Sequence, residues 1–381
     1  RQPVRRQFRP AQNRQHSFRL RCRRTIPFAW KIPINSSKVI TKSTSLRISA
    51  RIASSFLEAH GPMNTTLAFG CSFLIVRAVA TIGVTQDGFF LYIPDGVVVE
   101  KPIQLVNILR GNVDFMVNRR LLIVVGKRAQ AKLLVCDHSD EATVKFLSSQ
   151  VCEIFVDDDA VFDYYDIEES SENTSKVSSV FVRQGERSNV LVNGIVLHNG
   201  VTRNNYYSAF EGEHAELSLC GMAIADKGQV VDTYTHIDHA VPHCHSNELF
   251  KYVLNDSARG SFSGRILVRH GAQKTEAYQS NKNLCASPLA KMYTKPQLEI
   301  YADDVKCSHG ATVGQLDQNA LFYMRSRGIP ESEARMLLMF AFTNDVIELV
   351  RLDALKDRLR QLVEKRFRGE LAKCSGCQAC H

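Results

Sequence analysis

From Gln86 to about Gly310 the chain passes through more than 200 residues of short apolar runs and never sustains a helical period over three turns. Phe89–Ile93, Val97–Val99, Leu121–Val125, Lys132–Cys136, Val151–Val156, Ser179–Val182 and Val190–Val192 open the series. Ile195–Leu197, Leu217–Leu219, Val230–Thr235, Ile266–Val268 and Leu298–Tyr301 continue it. Each is rich in Val, Ile, Leu, Phe or Tyr, residues that suit a pleated, half-buried surface. The pairs Asp95-Gly96, Asn193-Gly194 and Asn199-Gly200 read as turns between them. Spacing of this kind fits a sandwich, a barrel or a β-solenoid. The length is large for one sandwich and moves the weight to a solenoid, although no strict repeat is visible.

After Gly314 the pattern changes. Asp317 can cap a helix carrying Leu321, Phe322 and Met324, and Gly328 falls where a left-handed residue would end it. Pro330 then suits the first position of a second helix, with Glu331 and Glu333 in its first turn, where acids favour the helix dipole. Ala334, Leu337, Leu338, Ala341 and Phe342 follow at helical spacing, and Leu349, Leu352, Leu355, Leu359 and Leu362 extend the stripe. Two or three helices are expected between 317 and 368. Their apolar stripe needs a surface, either the β-body or a partner protein.

Charge locates a different kind of segment. The chain carries a net +9, but residues 1–60 hold fourteen Lys or Arg against the single acid Glu58, leaving a net −4 on the remainder. A basic groove for nucleic acid therefore has no support in the body of the protein. The Arg- and Ser-rich first 60 residues read as an unstructured leader or as an organelle transit peptide. The apolar stretch Thr66–Val84 is interrupted by Arg77 near its middle, which makes it a poor membrane helix, and no membrane span is expected. Eleven Cys, an odd number scattered along the chain until 374, point to free thiols or metal ligands in a reducing compartment. The expected organisation is an atypical segment 1–85, a β-core 86–316, a helical domain 317–369 and a Cys-rich tail 370–381.

No Gly-x-x-x-x-Gly-Lys-Ser/Thr loop, Gly-x-Gly-x-x-Gly, His-Glu-x-x-His or Gly-x-Ser-x-Gly occurs, so nucleotide hydrolysis by this chain is not expected. Three constellations carry possible metal chemistry. His236, Asp238, His239, His243, Cys244, His245 and Glu248 are dense in ligands. Within them His243-x-His245 and Glu248 are similar to a cupin motif, although Glu248 comes one or two residues early and the flanking glycines are missing. The plainer reading is loop or interface histidines. Cys307 and His309 lie two positions apart and share one face of a strand, so both can reach one metal or sulfur atom. Cys374, Cys377, Cys380 and His381 have zinc or iron–sulfur spacing, against the alternative of a mobile redox tail.

The stretch Pro296–Gly314, with Lys306-Cys307-Ser308-His309-Gly310-Ala311-Thr312-Val313-Gly314 at its end, closely resembles the signature of the SufB/SufD family of the SUF iron–sulfur cluster assembly scaffold, in its SufD form. Gly271–Thr275, Gln279–Leu284 and Leu321–Ile329 agree as well, and the resemblance runs from about Gln86 to Gly369. It implies a right-handed parallel β-helix with a C-terminal helical domain. It further implies a non-catalytic scaffold in the cytoplasm, or in the plastid stroma if residues 1–60 are a transit peptide. SufB would pair through the β-helix, and the ATPase SufC would dock on the helices, where Leu337, Leu338, Ala341 and Phe342 are the candidate contacts. A transient iron–sulfur cluster would form at the SufB interface beside His309, with Cys307 secondary, and flavin involvement is left open. The terminal Cys-x-x-Cys-x-x-Cys is not a general family feature and is most similar to Bacteroidetes-type members. The runner-up is a cupin-like metal enzyme using His243, His245 and Glu248.

Overall fold

The computed structural model describes residues 63–68, 87–111, 113–139 and 144–370. The readings made for residues 1–62, for all but the first three residues of the apolar stretch Thr66–Val84 and for the tail 371–381 lie outside the described residues. Seventeen strands and three helices are present among the described residues. The strands are β1 Met63–Ala68, β2 Asp87–Ile93, β3 Ile103–Leu109, β4 Phe115–Val125, β5 Gln130–Ser139 and β6 Phe146–Val156. Next come β7 Val161–Glu169, β8 Thr174–Gln184, β9 Asn189–His198, β10 Val201–Phe210, β11 Glu216–Ala225 and β12 Val230–His239. The series ends with β13 His245–Leu254, β14 Arg259–Val268, β15 Glu276–Cys285, β16 Lys291–Ile300 and β17 Lys306–Gly314.

Odd-numbered strands form one nine-stranded sheet in chain order, and even-numbered strands form a second sheet of eight. The pairs are parallel except for β1, which runs antiparallel to β3. Each turn of chain thus contributes one strand to each sheet, and the product is a parallel β-solenoid of about eight turns. Alternate side chains of each strand face inward. In β14 these are Gly260, Phe262, Gly264, Ile266 and Val268, all buried. Stacked turn on turn with Leu91, Ile123, Ile154, Phe162 and Phe210, they make one continuous apolar core. The turns differ in length: paired residues are 26 apart at Ser175 and Val201 but 32 apart at Asp87 and Arg119. Most of the variation lies in the corners, with one register shift within the strands, between Glu168 and Glu169 of β7, which explains why no strict repeat is visible in the sequence.

One corner has its own rule. Arg128, Asp159, Arg187, His214, His243 and Lys274 all adopt positive φ, and each is followed by a small buried residue, namely Ala129, Ala160, Ser188, Ala215, Cys244 and Thr275. The left-handed residue turns the chain and hydrogen-bonds to the next coil, as in Arg128 N–H to the Asp158 carbonyl at 2.9 Å. Asn193-Gly194, expected as a turn, instead lies in the middle of β9, which joins the two runs 190–192 and 195–197. The glycine is required there by packing. A Cβ at Gly194 would fall against the Tyr206 hydroxyl and 3.1 Å from its Cζ.

The helices are α1 Gln318–Ser326, α2 Glu331–Glu348 and α3 Asp353–Arg368. Asp317 caps α1, its carboxylate accepting the N–H groups of Asn319 and Ala320, and Gly328 at φ 87° follows the helix end. Pro330 is the N-cap of α2, one position before the expected site. The outer face of the odd-numbered sheet is apolar at its middle. Tyr165, Ile167, Leu191, Ile195, Cys220 and Met222 pack there under Val346, Ile347, Leu359 and Val363. Polar latches fix the helices on that face. Arg366 donates to the Leu197 carbonyl at 2.6 Å and to Asp226 at 2.7 Å, and Lys251 donates to the Phe342 carbonyl at 2.8 Å and also pairs with Asp345. Much of the α2–α3 stripe is therefore covered by the β-body.

Candidate functional site at the open end of the solenoid

Among the described residues no further coil stacks on the last turn, β16 and β17, and β17 is exposed along most of its length. Cys307 aligns with Ala277 of β15 and His309 aligns with Gln279. Ala277 and Gln279 are buried, inward-facing residues. Cys307 and His309 thus share the inward face of the terminal strand, where a parallel edge leaves backbone groups unpaired. Cys307 is partly buried against the core, and that burial raises its thiol pKa, so the protonated form is favoured at neutral pH. The His309 side chain is exposed, because no described residue covers this end of the coil.

Behind this end the interior turns polar. Glu248 aligns with Gln279, which makes Glu248, Gln279 and His309 one inward column on β13, β15 and β17. Gln279 Nε2 donates to Glu248 Oε2 at 2.7 Å, and burial pushes the Glu248 carboxyl up to about 7. A second polar group lies deeper in the coil. Arg119 donates both Nη atoms to Asp137 at 2.8 Å, and Lys176 reaches Asp137 at 2.9 Å and Asp166 at 3.2 Å. Glu168 accepts from Ser170 and Thr202 at 3.0 Å. Burial opposes every charge here. The two cations outweigh it for Asp137, which they hold well below the usual carboxylate range, while Asp166 is raised and Glu168 is pushed up to about 7. The two cations thus face Asp137 and Asp166, with Glu168 beside them. Sequence reading missed this network, and a known strand register would have exposed it, since every member occupies an inward position.

The dense histidine stretch does not converge. Alternation sends His236 and Asp238 outward, and Asp238 pairs with Arg269 at 2.6 Å. His239 points inward, shares a 2.8 Å hydrogen bond with Ser246 and is held neutral by burial, with its pKa lowered to about 3. His243 sits at the left-handed corner with its ring on His214 at 4.8 Å, Cys244 fills the buried small-residue slot, His245 approaches Glu276 at 3.9 Å and Glu248 faces the interior. Among the described residues no group of three or more His, Cys, Asp or Glu is placed to hold a metal ion. The cupin-like reading of His243, His245 and Glu248 is therefore corrected. The corner and the pleat direct the three side chains to different surroundings.

The candidate ATPase contacts divide. Leu337 and Ala341 are exposed on α2, whereas Leu338 and Phe342 pack against the cluster of Val253, Leu284 and Leu316. Cys374, Cys377, Cys380 and His381 lie outside the described residues. Among the described residues no helix is long and apolar enough to cross a membrane.

Residues 108–342 match the family model for the SufBD core domain of the SUF iron–sulfur cluster assembly system. The chain is 32% identical over 294 residues to an iron–sulfur cluster assembly SufBD family protein of Synechocystis, covering 75% of this chain and 65% of that protein. It is 39% identical over 184 residues to the iron–sulfur cluster assembly protein SufD of Escherichia coli, covering 48% of this chain and 44% of that one. Protein ABCI7, chloroplastic, of Arabidopsis thaliana is 27% identical over 285 residues, with 73% and 60% covered. The chain spans less than two thirds of the length of each of these relatives.

Proposed function

The chain belongs to the SufBD core family of the SUF iron–sulfur cluster assembly system, and on that premise we propose that it is a non-catalytic scaffold subunit whose open solenoid end helps to build a nascent cluster. The observation that carries the reading is the placement of Cys307 and His309 side by side on the inward face of the uncovered strand β17. A SufB partner docking on this end completes the turn that β17 lacks and adds further ligands, because two side chains are too few to hold a cluster. A neutral imidazole is a good iron ligand, and His309 is exposed and available. Cys307, whose raised thiol pKa leaves less of the ligating thiolate at neutral pH, takes the secondary role. The cluster is cargo and is handed on.

The ATPase SufC docks on α2 in this proposal, through the exposed side chains Leu337 and Ala341, with Leu338 and Phe342 supporting them from beneath. It supplies the nucleotide chemistry for which this sequence has no phosphate loop. The site of action is the cytoplasm, or the plastid stroma should residues 1–60 act as a transit peptide; one relative is named chloroplastic. Co-purification tests the reading. A SufB-like and a SufC-like protein should accompany the chain, and the chain purified alone should carry no stoichiometric metal. Failure to bind either protein, or a full equivalent of metal on the chain purified alone that His309→Ala removes, would overturn it.

A further inference from the structure

His309 is exposed on one side, yet a ligand must present a particular ring nitrogen, and its neighbour in the column is chemically suited to decide which one. We propose that Gln279 is a positioning residue for His309, accepting one ring N–H on its amide oxygen so that the other ring nitrogen offers its lone pair at the open end of the coil.

Four observations carry this. Gln279 and His309 are register partners on adjacent parallel strands, about 4.8 Å apart along the sheet, with side chains on the same inward face. The Gln279 amide nitrogen is already committed, donating to Glu248 Oε2 at 2.7 Å. That commitment fixes which way round the amide sits, and its oxygen is buried without a partner. A buried acceptor left unpaired costs about 1–3 kcal/mol, so the site favours an added donor. Finally, the opposite strand makes room for this side chain, since a Cβ at Gly264 would lie 2.9 Å from Gln279 Cδ. An amide oxygen accepts and cannot donate. A neutral imidazole beside it is therefore held with the proton on the near nitrogen and the lone pair on the far one. Metal-ligating histidines are commonly oriented this way by a hydrogen bond to the second nitrogen. Glu248 anchors the arrangement without touching His309.

The inference rests on the reading of His309 as a ligand, but its test does not need a cluster. The full isolated chain, labelled with nitrogen-15 in histidine and held at a pH where the ring is neutral, reports the tautomer of His309 by nitrogen–proton correlation, its signals being those lost in His309→Ala. One net hydrogen bond corresponds to roughly a tenfold bias between tautomers. Wild-type protein should show one dominant tautomer, and Gln279→Met, of similar size, should shift the ratio about tenfold toward that of free imidazole while the His198 and His214 signals stay in place. A free-imidazole ratio in the wild-type protein would overturn the proposal with no variant at all, and so would an unchanged ratio in Gln279→Met. Loss of cluster formation in His309→Ala bears on the ligand reading alone, so failures of the two ideas are distinguishable.

Discussion

Glu168 and Glu248 are fully enclosed carboxyls raised by burial to about 7 from an ordinary value near 4.5. Between those values the folded protein binds more protons than the unfolded chain, so each group lowers stability as pH rises through that window and imposes its full cost above it. A shift of this size corresponds to about 3 kcal/mol. His239, kept neutral down to about 3, acts in the opposite sense, adding stability as pH rises toward its ordinary value of 6.5. The net curve is thus partly flattened, and the difference between variants is the better observable. Glu168→Gln should gain up to about 3 kcal/mol on the wild type between pH 4.5 and 7.5, measured by urea unfolding at each pH. A difference independent of pH would show that Glu168 titrates normally. Gly194→Ala should cost on the order of 1–3 kcal/mol, and Tyr206→Phe in the same chain should recover most of it by removing the hydroxyl that the new methyl meets. Thermal melts of the two variants and the pair decide this. Neither residue's role was legible from sequence. Asn-Gly is a strong turn signal, and only the position of the Tyr206 side chain on the next strand, across the core in the other sheet, turns it into mid-strand packing.

Among the elements, those that alternate simply were readable and those that carry polar residues inward were not. β14, with its buried Phe262, Ile266 and Val268, announced itself, while β10 with Asn204 and Ser208 inward, and β15 with Gln279, Asn281 and Asn283 inward, broke the apolar pattern that marks a strand. The helix ends were legible because Asp317 and Gly328 act through local geometry. What the helical stripe packs on was not, since spacing along a helix says nothing about which surface covers it. The structure separates buried from exposed positions along that stripe, and two substitutions should separate packing from the proposed docking. Leu359→Ala removes a fully buried contact between α3 and the sheet and should cost about 2–5 kcal/mol, seen as a lower melting temperature. Leu337→Asp with Ala341→Arg alters only exposed positions, so it should change stability by less than about 1 kcal/mol yet abolish SufC binding in a pull-down. Retained SufC binding in that double variant would move the ATPase site elsewhere.

At the scale of the whole molecule, a solenoid buries each coil against its neighbours and leaves its last coil bare. That is why His309, an ordinary inward position by register, is exposed, and Cys307 beside it is only partly buried. The family signature around Lys306–Gly314 made the two residues visible in the sequence, and the spacing of two made their common face visible. Their neighbours Gln279 and Glu248, 30 and 61 positions earlier, could not be associated with them until coils of unequal length were aligned. The central claim is that this open end contributes a cluster ligand without being needed for assembly of the complex. Cluster content of the complex with SufB and SufC, reconstituted with iron and sulfide and read by absorbance and Mössbauer spectroscopy, tests it most directly in His309→Ala. The account predicts an intact complex with the cluster lost; a normal cluster yield on the His309→Ala complex would contradict it.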